Sequence, residues 1–318
     1  MKLTALRYLV AFADEGSFSR AAERCKVSQP TLSVSLQQLE SELGVSLIER
    51  SKGRVALTDL GRQVVTQARK ALDDVKRIEL VARTGKNPLA GDFRLGVIHT
   101  IGPYLLPELI SAMKKVAPDT RLYIEESMTA LLADSLKYGT IDAAIIALPF
   151  DMPGIRVHPL YDEEFQVVVP KGHRWSRRKK IARHEVGDED VLVLKAGNCF
   201  REQVLDACPE MSHADGSALE GHSIETVRCM VASNYGISVL PASSLGGVYR
   251  NDMVTAIPFE APAPSRRVAI AWRDGFTRTE VVDAIISAAG MMKNPCYQAI
   301  EPPDQKQDAA CTSPSLAC

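Results

Sequence analysis

The segment Lys195-Ala-Gly-Asn-Cys199-Phe-Arg-Glu-Gln-Val-Leu-Asp-Ala-Cys208-Pro209 holds two of the chain's seven cysteines, nine residues apart. Gly197 and Asn198 end an apolar strand, and Asn is a good helix N-cap. Cys199 then falls at the first position of a helix predicted to run to Ala207, and Pro209 forbids its continuation. A sulfur at a helix N-terminus feels the positive end of the macrodipole, and Arg201 follows half a turn later. Both effects favour thiolate over thiol, and thiolate is the form that attacks peroxide. Nine residues of helix at about 1.5 Å each hold the two Cα atoms roughly 13 Å apart, whereas a disulfide needs them within about 7 Å. If Cys199 is oxidised to a sulfenic acid and Cys208 attacks it, the helix between them has to unwind, giving a chemically driven two-state element. The alternative is two ordinary helix cysteines, packed as small hydrophobes.

The other cysteines show no paired spacing. Cys25 and Cys229 read as packing residues, and Cys296, Cys311 and Cys318 lie near or in a polar C-terminal stretch. No CxxC pair suggests a structural zinc site, and the six histidines have no ligand spacing. His222, beside Ser223, reads as the neighbour of a helix cap. No Ser/His/Asp, Walker or dinucleotide motif stands out, so no metal and no cofactor is expected. No apolar run reaches the roughly 18 residues that span a bilayer. The opening MKLTALRYLVAFADEG reads as an amphipathic helix with Leu3, Leu6, Leu9, Val10 and Phe12 turned inward, and no signal-peptide cleavage site follows. A cytoplasmic protein is expected, where reducing conditions argue against permanent disulfides.

A cysteine switch must act on something, and Ser17 to Gly61 supplies a candidate output. Ser17 or Ser19 suits a cap for a short helix whose Ala21, Ala22 and Cys25 present a thin face. Val27 and Ser28 form a turn, and Pro30 sits in the first turn of a second helix, where its missing N–H costs nothing. Leu32, Leu36, Leu39 and Leu43 recur at helical spacing and face a core. The opposite face carries Gln29, Thr31, Ser33, Ser35 and Gln38, short hydrogen-bonding groups suited to base edges in a major groove. Arg50 and the Lys52-Gly53-Arg54 tip then read as a small basic wing suited to phosphates or a minor groove. Residues 1–90 hold 15 Lys plus Arg against 10 Asp plus Glu, while the remainder holds 23 against 29. A basic head on an acidic body fits a DNA-binding module joined to a different one. A helical hairpin for protein contacts is the competing reading.

From Asp59 to about Thr84, Leu60, Val64, Ala68, Ala71, Val75, Ile78 and Ala82 recur at steps of three and four, a seam suited to pairing with a second helix. A helix packed on its own domain is the alternative. Gly85-Lys86-Asn87-Pro88 breaks it. Alternating strands and helices follow: strands at 93–98, 122–124, 141–148, 165–169, 191–194, 237–240 and 268–272, with helices at 104–116, 131–136, 223–232 and 280–291. This predicts an α/β fold with parallel sheets. A break near residues 155–165 and a return near 265 predict two lobes around a cleft. Disorder is expected from Pro295 onward.

The N-terminal unit resembles the LysR family of bacterial transcriptional regulators through SFSRAAERCKVSQPTLSVSLQQLESELGVSLIER and the closing LTDLG. The resemblance implies a winged helix-turn-helix over residues 1–58, a dimerising linker helix over 59–86 and a two-lobed, periplasmic-binding-protein-like sensor over 87–294. Lobe I would span about 91–160 and 266–294, lobe II about 161–265, and 295–318 would be tail. Such proteins bind double-stranded operator DNA as homodimers or homotetramers, act on RNA polymerase, and are not enzymes. Within the family, KAGNCFREQVLDAC resembles the sensor loop of the OxyR type, the activators that respond to hydrogen peroxide and control antioxidant genes. That resemblance implies Cys199 as peroxidatic and Cys208 as resolving residue, reset by a cellular thiol reductant. It also implies a peroxide pocket with Thr100, Thr129, Asn198 and Arg266, and DNA contacts from Ser28, Gln29, Pro30, Thr31, Ser33, Arg50, Lys52 and Arg54. Asn198 departs from the type, which has His before the reactive cysteine; an amide donates a hydrogen bond but shuttles no proton. Two other functions remain open: a family member sensing a small metabolite in the cleft, and a thiol peroxidase.

Overall fold

The computed structural model describes residues 1–51, 54–84, 87–209, 219–298 and 300. The first unit is built from α1 (Leu3–Glu15), α2 (Phe18–Cys25), α3 (Gln29–Leu43) and a hairpin of β1 (Ile48–Ser51) and β2 (Arg54–Leu57). Leu6, Leu9 and Phe12 of α1 pack with Ala21 and Ala22 of α2 and Leu32, Leu36 and Leu39 of α3 around one core. Leu3 and Leu43, expected inward, are exposed, because each lies at a helix end beyond the reach of that core. Ser17 sits at the N-cap of α2 but makes no side-chain cap bond. The turn before α3 is made by Lys26 in the left-handed region.

Two contacts fix the wing. The Glu40 carboxylate accepts from the Leu47 and Ile48 amides at 2.7 and 3.0 Å, which ties β1 to α3. The helix α4 (Asp59–Thr84) then starts hard against the wing's root, with Gly61 so close that an added Cβ would lie 2.1 Å from the Leu47 carbonyl oxygen. The closing glycine of LTDLG is thus a close-approach residue. Along α4, Val65 and Ala68 bury against the first unit while Leu60 and Ile78 stay exposed. The expected seam therefore divides, its Ala68 serving its own domain. The Ala82 side chain, Lys52 and Gly53 lie outside the described residues.

The second unit is a mixed sheet in the order β4-β3-β5-β11-β6-β9-β7-β8, with β10 on β6. Its strands are β3 (Gly91–Ile98), β4 (Thr120–Ser127), β5 (Ala143–Ala147), β6 (Ile155–Pro170), β7 (Val191–Leu194), β8 (Glu220–Gly221), β9 (Ile237–Pro241), β10 (Val254–Pro258) and β11 (Ser265–Arg273). Helices α5 (Gly102–Val116), α6 (Thr129–Tyr138), α7 (Cys199–Ala207), α8 (Ile224–Ala232) and α9 (Thr279–Gly290) cover it. One core gathers Phe93 to Tyr161 and Val268 to Ala289; a second gathers Phe165 to Phe259 and takes in Tyr104.

Three expectations change here. The sheet is not parallel throughout: β3 pairs in parallel with β4 and β5, but β11 runs antiparallel to β5 and β6. No break interrupts residues 155–165, since β6 runs through them as one strand, and the register with β11 shifts between Val268 and Ala269. Residues 295–298 are not loose: Gln298 exchanges two backbone hydrogen bonds with Asp162 of β6, at 2.8 and 3.0 Å. Tyr297 supplies the reason, stacking on Tyr161 with ring centroids 4.1 Å apart. A polar, Pro-containing composition hid that one aromatic anchor. Residues 301–318, with Cys311 and Cys318, lie outside the described residues.

A Gly61→Ala substitution is expected to force α4 away from Leu47 and cost about 1–3 kcal/mol. A urea unfolding curve of the N-terminal transition measures it, with the exposed Gly16 position left alone as reference.

Candidate functional site

Helix α7 starts where the sequence places it. Gly197 adopts φ +94, which a side chain would strain, and a Cβ there would come within 3.7 Å of Met128 Sδ. That turn delivers Cys199 to the first helical position, half-buried and packed on the core of the first lobe although its helix belongs to the second. Cys208 lies at the other end, fully buried in the second lobe's core, its amide donating to Val204 O at 2.9 Å. No disulfide joins them. With α7 intact, about 1.5 Å of rise per residue keeps them too far apart to bond.

The buried cation beside Cys199 is Arg266 of β11. Its side chain is fully buried against Glu163 of β6, with Nη2 2.7 Å from Oε2. It also donates from Nη1 to Thr100 Oγ1 at 3.1 Å and from Nη2 to Thr100 O at 2.9 Å, and lies 5.2 Å from the centre of the Phe200 ring. Burial works against the guanidinium charge, but Glu163, Tyr161 and Cys199 outweigh it and hold the pKa above its ordinary value. Arg201, expected to support the thiolate, turns elsewhere: it donates to Leu194 O at 2.8 Å and to Glu220 at 2.7 Å. Its residue-by-residue proximity to Cys199 is cancelled by an ion pair that the sequence did not suggest.

Thr100 accepts from Arg266, so its own proton remains to be donated. Thr129 opens α6, next to the Met128 that faces Gly197, and its hydroxyl is buried with no hydrogen-bond partner among the described residues. Asn198 occupies the N-cap position of α7 without capping it; its amide donates to Lys195 O at 3.3 Å. One turn beyond Cys199, Gln203 donates to Leu148 O of the first lobe at 2.8 Å, while its Oε1 is buried without a partner among the described residues. Thus Thr100 and Arg266 are joined directly, Cys199 and Gln203 of α7 reach the first lobe, and Thr129 comes near α7 only through its neighbour Met128.

Glu163 and Gln203 escaped the sequence reading. A signal existed for Glu163: Tyr161, Glu163 and Phe165 alternate as the buried face of a strand, so a carboxylate there demands a buried cation. Cys229, expected in the core, is exposed. The inward face of α8 is Ile224, Val227, Arg228 and Val231, and Arg228 is held there by Ser244 O and Glu225. Ser223, beside His222, does cap α8 through the Thr226 amide.

On the first unit, α3 exposes Gln29, Pro30, Thr31 and Gln38 together, with Ser33 and Ser35 half-buried. Ser28 caps α3, accepting from the Thr31 amide at 3.3 Å, and its hydroxyl lies 2.7 Å from that of Thr31. Val34, missed as an apolar residue on a polar face, is 62% exposed beside them and offers methyl groups of the kind that meet thymine. Arg50 and Arg54 lie in the two strands of the wing, and their side chains lie outside the described residues.

Residues 3–62 match the bacterial regulatory helix-turn-helix protein, lysR family, and residues 86–291 match the LysR substrate binding domain. The chain belongs to the LysR family. It is a DNA-binding transcriptional regulator and not an enzyme. The regulator is 36% identical over 275 residues to the hydrogen peroxide-inducible genes activator of Pectobacterium carotovorum subsp. carotovorum, spanning 86% of this chain and 91% of that one. Full-length OxyR of Pseudomonas aeruginosa, in a cysteine-to-aspartate variant, superposes with a TM-score of 0.77 at 44% identity, covering 95% of this chain and 99% of the other. A Corynebacterium glutamicum OxyR mutant with hydrogen peroxide bound superposes at 0.62 with 30% identity, over 91% of each chain. Among the described residues of the regulator, no helix is long and apolar enough to cross a membrane, and no group of three or more His, Cys, Asp or Glu could hold a metal ion.

Replacing Glu163 by Gln leaves Arg266 buried without its counter-charge and is expected to cost about 3–5 kcal/mol. A Glu163→Leu, Arg266→Met double variant is expected to recover most of that loss in chemical denaturation.

Proposed function

We propose that this regulator is a transcriptional activator switched by hydrogen peroxide through Cys199 and Cys208. The observation that carries the reading is the placement of the two sulfurs. An unbroken α7 keeps one at the lobe seam near Arg266 and Thr100, and the other inside the second core.

The chemistry follows from that arrangement. The Cys199 thiolate attacks one peroxide oxygen; the O–O bond breaks, Cys199 becomes a sulfenic acid, and the departing hydroxide takes a proton to leave as water. Arg266 and the hydroxyls of Thr100 and Thr129 are suited to hold the peroxide and stabilise the charge on the leaving oxygen. Cys208 then attacks the sulfenic sulfur, an S–S bond forms, and a second water leaves, so two thiols supply the two electrons. Because the bond is out of reach with α7 folded, its formation unwinds α7 and withdraws Cys208 from the second core. A cellular dithiol reverses the bond by exchange, as a reducing cytoplasm requires.

Output runs through the DNA reader. Gln29, Thr31 and Ser33 of α3 read base edges while the wing's Arg50, Lys52 and Arg54 bind phosphates. Two copies are needed for a two-part operator. An open apolar groove of about 440 Å³ between the chain's start and α4, lined by Met1, Leu6, Leu43, Leu60 and Val64, supports pairing along the linker. The oxidised sensor shifts the readers of a dimer or tetramer along operator DNA and engages RNA polymerase at antioxidant genes.

A Cys199→Ser chain is expected to bind operator DNA normally yet show no peroxide-dependent change in footprint. Non-reducing peptide mapping after a brief peroxide pulse should link residues 199 and 208 in the wild type. A footprint that ignores peroxide and responds to a small organic acid overturns this reading. In place of the usual imidazole, Asn198 supplies no proton shuttle, so Asn198→His is expected to speed Cys199 oxidation by up to about 10²-fold.

A further inference from the structure

We infer that residues 294–298 form a positioning strap for the Cys199 site, with Tyr297 as its anchor and the Glu163–Arg266 pair as the group it holds in place. The inference rests on the reading of Cys199 as the oxidised residue. The strap reaches α5, the helix that follows Thr100, and β6, the strand that carries Glu163. On α5, Asn294 donates to Glu108 at 3.2 Å and the Tyr297 hydroxyl to Tyr104 O at 3.2 Å. On β6, Gln298 pairs with the backbone of Asp162, and its side-chain amide donates to Glu164 at 2.9 Å. Asp162 and Glu164 flank Glu163, and the Tyr297 ring covers Tyr161 two residues away.

Asn294 Oδ1 accepts from the Cys296 amide at 3.0 Å, which closes the strap into a turn. The Cys296 thiol is pushed up by burial first and then by Glu163 and Glu108, so it sits within the field of the same carboxylate that holds Arg266. Burial, and next Glu163, likewise push the Tyr297 phenol above its ordinary range. Three elements therefore surround Glu163: β11 with Arg266, the Ser243 amide at 2.9 Å from Oε1, and the strap. The first two bond the carboxylate directly. The strap keeps water from it, and a buried ion pair keeps its geometry only while water is excluded.

The consequence concerns rate. With the strap lifted, water solvates Glu163, Arg266 gains alternative positions, and its bonds to Thr100 behind Cys199 loosen. The full-length chain truncated after residue 293 is compared with one truncated after residue 300, which keeps the strap and loses only the residues beyond it. Cys199 oxidation is followed by alkylation quench and mass spectrometry. The chain ending at 293 is expected to oxidise about 10-fold more slowly, the effect of weakening one charge-assisted hydrogen bond, while operator binding by the reduced protein is retained. Tyr297→Ala should reproduce the loss and Tyr297→Phe, which keeps the ring on Tyr161, should restore most of it. This pair decides the matter if the shorter chain fails to fold. Cys296 serves as a reporter, since its alkylation should quicken in Tyr297→Ala. Equal oxidation rates in the two truncated chains, or in Tyr297→Ala and wild type, overturn the strap. A wild-type Cys199 that peroxide does not oxidise overturns the function itself.

Discussion

The Glu163–Arg266 pair is the interaction on which the sensor depends. Glu163 comes from β6 and Arg266 from β11, the two strands that carry the chain between lobes, and both side chains are essentially without solvent contact. Removing two charges from water costs several kcal/mol per ion, so such a pair is retained at the expense of stability unless it does something an apolar pair cannot. Here it fixes a permanent positive charge at the seam. Thr100 is oriented by it, Phe200 packs beneath it, and Cys199 lies within its field. The carboxylate is further committed by the Ser243 amide, which leaves Arg266 little freedom to wander.

Around this pair the lobes are held by contacts of a different kind. Tyr104 of α5 reaches across to donate to Glu225 of α8 at 3.0 Å, and Tyr249 returns to Pro103 O at 2.6 Å, with the two rings edge to face. Glu225 is in turn gripped by the buried Arg228. Helix α7 touches this framework at few points, chiefly Cys199 at its start and Gln203 one turn on. On its other side α7 is anchored in the second core by Phe200, Val204 and Cys208, so any rearrangement of α7 has to withdraw those side chains.

The N-terminal unit was legible because its determinants are local. Caps and leucines at helical spacing act within a few residues of one another, and most survive in the structure, Ser17, Leu3 and Leu43 aside. Helix α7 was legible for the same reason, bounded by Gly197 and Pro209. What escaped was non-local. The pairing of β6 with β11 brings together residues about 100 positions apart, so neither the continuity of β6 nor the partner of Arg266 shows in any window of sequence. The capture of Arg201 by Glu220 depends on where β8 lands. Cys229 was misplaced because Arg228, a residue type that seldom goes inside, takes the buried position one step earlier. The docking of residues 295–298 hangs on a single tyrosine in a polar stretch, too little for composition to register.

The unbroken course of β6, laced antiparallel to β11 through the crossover, also sets what kind of motion the sensor can deliver. A pair of through-running strands bends poorly but twists readily, because ladder bonds resist splaying far more than a change in coil. The halves of this sensor are consequently joined by a torsion bar and not by a door hinge. Under the proposed switch, work done at α7 would leave the molecule as a small rotation of one half against the other, which a neighbouring subunit resting on both halves would feel as shear.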